Sequence, residues 1–121
     1  MADSSLLSIR RRAVTGGVSI VSIAGEIDLA TADAFRDSLS PYLSDPATTQ
    51  LVCDMSQVKF LACSGLSVLL DVQSALSARG GQLSVVANGP AVLRPVKVTG
   101  LNKVLRVYPH LSAAISQSTV D

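Results

Sequence analysis

The segment Gln50-Leu51-Val52-Cys53-Asp54 constrains the fold more than any other stretch, because it is apolar on both faces until it reaches Asp54. Successive strand residues point to opposite sides of a sheet, so such a strand needs cover from two layers. After a loop over residues 56–63 the period changes. Leu66, Leu69, Leu70, Gln73 and Leu76 recur on one side of a helix that runs from Ser64 to about Ala78, and Gly80-Gly81 ends it. A doubly covered strand that feeds a helix is a unit of an α/β sheet.

The rest of the chain repeats that alternation. Val18 to Gly25 is β-branched and closed by glycine, and Leu6 to Val14 pairs with it through the Gly16-Gly17 turn. From Thr31, a plausible cap, Phe35, Leu39, Tyr42 and Leu43 form the apolar stripe of a helix whose final turn Pro41 should kink or loosen. Gln82 to Ala87 reads as a strand, Asn88-Gly89 as a turn, and Pro90 as the first residue of a short helix that Pro95 must disturb. Val104 to Val107 and Pro109 to Ser116 complete the pattern as a short strand and a last helix. The expected fold is a single α/β domain over residues 1–121, with its core at about 6–116. Its mostly parallel or mixed sheet has four to five strands, with about four helices. In such sheets sites gather at the strand C-termini, where the Gly25 to Asp28 and Asp54 to Ser64 loops are expected side by side.

Composition removes several classes of function. The chain has 121 residues and a hydrophobic fraction of 48%, but only 3% aromatic residues and no Trp, so the core is aliphatic and base stacking has little to work with. A formal charge of +1 supplies no general field for nucleic acid or an anionic membrane, and Arg10-Arg11-Arg12 alone is locally basic, as a solvated strand edge would be. The N-terminal residues lack the basic and apolar regions of a secretory signal, and Phe60 to Leu70 falls short of the ~20 residues of a spanning helix. A cytoplasmic protein with no membrane or direct nucleic-acid contact is expected.

Catalytic and cofactor motifs are missing as well. The sequence holds no phosphate loop and no dinucleotide fingerprint, and His110 has no Cys or Glu at ligand spacing, so neither a cofactor nor a metal site is expected. Ser64 lacks the Gly-x-Ser-x-Gly elbow of a hydrolase, since Ala62 stands two residues before it. The chain is therefore not expected to be an enzyme. At a helix start Ser64 Oγ suits either an ordinary N-cap, worth ~1 kcal/mol, or a phosphate, which the unpaired N–H groups and the helix dipole favour. Gly65 removes Cβ crowding beside that hydroxyl. Asp28 and Asp54, placed just past strands, suit turn capping. Cys53 reads as a small buried hydrophobe, and Cys63, at the helix start, as a candidate reactive thiolate.

Asp54-Met55-Ser56 followed by Ala62-Cys63-Ser64-Gly65-Leu66, with Gly25-Glu26-Ile27-Asp28 before and Thr99-Gly100-Leu101 after, resembles the STAS family, the anti-sigma-factor antagonists of bacteria. The resemblance implies a STAS-like domain in which Ser64 is the phosphorylation site. Asp28, Asp54, Cys63, Gly65 and Leu66 would meet the partner. That partner is an anti-sigma factor with serine-kinase activity, which brings its own ATP and Mg²⁺, and the unphosphorylated domain binds it to release a sigma factor. Ala62 and Cys63 depart from the pattern, standing where the family has an acidic residue and often a second serine. An interaction module controlled by oxidation of Cys63 is the alternative.

Overall fold

In the computed structural model, residues 7–13 and 16–119 are described. Leu6 and Val14, at the ends of the expected first strand, lie outside them, as do the N-terminal residues 1–6. Five strands, β1 (Leu7–Ala13), β2 (Val18–Ile27), β3 (Gln50–Leu61), β4 (Gln82–Val86) and β5 (Arg106–Tyr108), form one sheet in the order β1-β2-β3-β4-β5. β1 runs antiparallel to β2 and the other neighbours are parallel, so the sheet is mixed. The helices among these residues are α1 (Ala32–Leu43), α2 (Cys63–Ser77), α3 (Pro90–Val98) and α4 (Leu111–Thr119), with a 3₁₀ turn at Leu101–Lys103.

The two-layer demand of β3 is met as its pattern requires. Leu51, Cys53 and Met55 join Val21, Ile23, Phe35, Leu39, Leu69, Val72 and Leu76 in the main core, beneath α1 and α2. Val52 turns the other way and packs with Val18, Ile20, Val86 and Ala114 beneath α4. The buried stripe of α2 includes Val68 and Val72, while Leu70 and Gln73, expected on it, are half-buried.

Several boundaries differ from the sequence expectation. β3 does not end at Asp54 but continues through residues 56–61, the expected loop, because β2 also runs on past Gly25 to Ile27 and supplies partners: Gly25 faces Val58 and Ile27 faces Leu61. Gly25 adopts φ +110° between two register shifts, so it bends the strand instead of closing it. α1 runs through Pro41, which stands in the final turn and deprives only Asp37 of a helical donor. α3 likewise runs through Pro95. β5 and α4 begin two residues later than expected; Val104 N–H and Leu105 N–H both donate back to Leu101 C=O, at 2.9 and 2.8 Å, which keeps these two residues out of β5.

Candidate functional site

The parallel register of β2 and β3 brings the Asp28 turn and the start of α2 together. Ala62 N–H donates to Ile27 C=O at 2.8 Å, fixing the helix entry to the end of β2. The Asp28 turn is wound on itself. Asp28 Oδ1 accepts from Ala30 N–H at 2.9 Å and Thr31 N–H at 3.1 Å, while Thr31 Oγ1 accepts from Asp28 N–H at 2.9 Å and donates to Glu26 C=O at 2.8 Å. Thr31 precedes α1 but makes no side-chain cap, its hydroxyl being spent on this turn. The turn-capping reading of Asp28 is thus realised, and one of its carboxylate oxygens is committed to backbone.

Ala62, not Ser64, occupies the N-cap of α2, and no side chain caps that end. Ser64 is the second helical residue. It is half-buried, and its Oγ is fully covered with no hydrogen-bond partner among the described residues. Gly65 faces inward: a Cβ there would stand 2.6 Å from both Ile27 Cγ2 and Leu61 Cδ1. Its missing side chain seats α2 on the ends of β2 and β3, where the sequence suggested room for an approaching molecule. Leu66 is buried beneath it. Cys63 is exposed, whereas Cys53 is fully buried, and that burial, followed by the charge of Asp54, pushes its thiol up to about 12.

Asp54 does not join this group. It lies inside β3 beside Ser22 of β2, and from Ser22 to Ile27 is roughly 16 Å of strand at ~3.3 Å per residue. Its Oδ1 accepts from Ser56 N–H at 3.1 Å and from Ser56 Oγ at 2.7 Å. Leu29 and Phe60, which sequence reasoning passed over, are exposed at this end of the sheet at 85% and 51%. Phe60, paired in register with the exposed Glu26, carried one legible signal, as one of only two phenylalanines, while its place at a strand end is known only from the structure. Among the described residues no cluster of His, Cys, Asp and Glu can hold a metal ion, and no helix is long and apolar enough to cross a membrane.

A sheet of this order, with a serine at the second position of the helix leaving its central strand, defines a class, and the comparisons place the chain in it. The sequence profile of the STAS domain matches residues 11–114, so the chain belongs to the STAS domain family. It is 39% identical over 103 residues to an anti-sigma-F factor antagonist of Mycobacterium tuberculosis, covering 83% of this chain and 80% of that one. The crystal structure of an anti-sigma factor antagonist from Mycobacterium paratuberculosis superposes with a TM-score of 0.86 at 35% identity, covering 97% of each chain. The phosphorylated form of the Bacillus cell fate determinant SpoIIAA shares the fold, with a TM-score of 0.71 at 19% identity over 92% of this chain and 99% of that one.

Proposed function

We propose that this chain is an anti-sigma factor antagonist whose docking to an anti-sigma factor with serine-kinase activity is switched off by phosphorylation of Ser64. The observation that carries the reading is the position of Ser64, second in α2 and beside the Asp28 turn, in a chain 39% identical to an anti-sigma-F factor antagonist. The docking surface comprises the Asp28 turn, Leu29, Phe60, Cys63 and the exposed start of α2. Gly65 and Leu66 shape it from beneath, and Asp54 is left outside it by its distance along the strand. ATP and Mg²⁺ come with the partner, the phosphoryl acceptor is this chain's only chemical contribution, and the setting is cytoplasmic.

The covered Ser64 hydroxyl adds a step. A change of rotamer must bring Oγ to the surface before a kinase can reach it, and since the buried hydroxyl has no partner among the described residues, leaving forfeits no hydrogen bond with them. Once transferred, the phosphoryl group adds ≈ −1.5 to −2 charges at the positive end of α2. The fold therefore persists while the charge of the docking surface changes. Incubation with a kinase-type anti-sigma factor and ATP, read by intact mass, should add one phosphate to the wild type and none to Ser64→Ala, which stays bound. Phosphate on Ser56 or Ser67, or undiminished binding of the fully Ser64-phosphorylated chain, overturns the proposal.

A second reading, control of docking by oxidation of Cys63, is favoured by the exposure of that thiol beside Ser64. It requires oxidant to weaken docking of the wild type and to leave Cys63→Ser unaffected. An equal response in both removes it.

A further inference from the structure

Arg10 and Arg12 project from the side of β1 whose neighbours on β2 are Ser22 and Ile20, and Ser22 in turn lies beside Asp54 of β3. On this side of the sheet α4 covers Ile20 and Val52 and packs on β3, β4 and β5, leaving the β1 end exposed. The result is a cleft of about 630 Å³, within the size range of small-molecule sites. Arg10 and Arg12 form one wall, Asp54 and Ser56 the other, and the small side chains of Ser22 and Ala24 lie between them.

The two walls carry opposite charge and do not neutralise each other. The ion pair Arg36–Asp71, at 2.9 Å, is the one found among the described residues, so Arg10, Arg12 and Asp54 each lack a charged partner there. Asp54 spends Oδ1 on Ser56 and makes no hydrogen bond with Oδ2 among the described residues. Two strand spacings, roughly 10 Å between Cα atoms, hold the walls apart. A guanidinium pair suits a carboxylate, and a half-buried carboxylate beside a hydroxyl suits an ammonium group.

We propose that this cleft binds a small zwitterion of the ω-amino-acid class, its carboxylate between Arg10 and Arg12 and its ammonium group at Asp54 Oδ2 and Ser56 Oγ. The site is separate from Ser64 and does not rest on the phosphorylation reading. It gives a use to the arginine run and to Asp54, which the docking surface leaves unused.

Titration of the isotope-labelled full chain with γ-aminobutyrate, butyrate and n-butylamine, followed by backbone amide shifts, tests the proposal. γ-Aminobutyrate should shift the Ser22, Ala24 and Ser56 amides saturably, and butyrate and n-butylamine should bind at least roughly tenfold more weakly, each lacking one charge-assisted contact. Arg10→Gln, at an exposed position, and Asp54→Asn should each weaken γ-aminobutyrate binding by a similar factor. Arg12→Gln offers a second surface variant with an intact core. Equal binding of butyrate reduces the cleft to a simple anion site and overturns the zwitterion assignment. So does the absence of saturable shifts at these amides, or indifference of the affinity to all three substitutions.

Discussion

Ser64 Oγ has been taken from water without gaining a hydrogen bond among the described residues, an arrangement that costs about 1–3 kcal/mol for a buried polar group. Ser64→Ala should therefore leave the domain as stable as the wild type or up to about 1 kcal/mol more stable in urea denaturation. An N-cap serine would instead lose ~1 kcal/mol on the same change, so the sign of the effect separates the two arrangements. The cysteines give a second residue-scale contrast. Cys63 should alkylate much faster than Cys53 in the native domain, as peptide masses after quenching and digestion will report, and equal slow labelling would make Cys63 a packing residue too. Cys53 also links stability to alkaline pH. Its thiol ionises near 9 when unfolded and near 12 when folded, so above pH 9 the unfolded state binds fewer protons than the native one. The contribution is complete below pH 9 and is lost as pH rises from about 9 towards 12. Cys53→Ala, less stable at neutral pH because of its cavity, should lose less stability over that range than the wild type.

Between elements, the seat of α2 on β2 and β3 depends on what Gly65 lacks. A methyl group there must displace both Ile27 and Leu61, each buried, or lift the helix, and overpacking of this kind costs about 1–3 kcal/mol. Gly65→Ala should lower the thermal midpoint and, by lifting the start of α2, weaken capture of the anti-sigma factor. Unchanged stability would show that the seat can give way. The sheet, its helices and the two-sided burial of β3 were legible because apolar periodicity reports which faces are covered. The reach of β3 was not: Ser56, Gln57 and Lys59 look like loop residues, and only the continuation of β2 past Gly25, a tertiary fact, supplies their partners. The same error displaced Asp54, which looked like a strand end and proved to be mid-strand. Ser64 was legible as a helix-start residue, but its exact position was not, since Ala62 has no capping side chain to mark the boundary.

At the scale of the molecule, one sheet shared by two cores should unfold as a unit. A single urea transition, coincident by circular dichroism and tyrosine fluorescence, is expected for a domain of 121 residues, and separate transitions would mean that the α4 side melts independently. Amide exchange should be slowest in β2, β3 and β4, which have a strand on either side, and faster along the free edge of β1. The strand order has a further consequence during synthesis. Each strand lies beside the one made just before it, so no segment must wait for a distant partner or be threaded between two strands already paired. As the chain leaves the ribosome, the sheet can lengthen in one direction from β1, each new strand adding to the last exposed edge, and α4, the final helix to emerge, closes the second face.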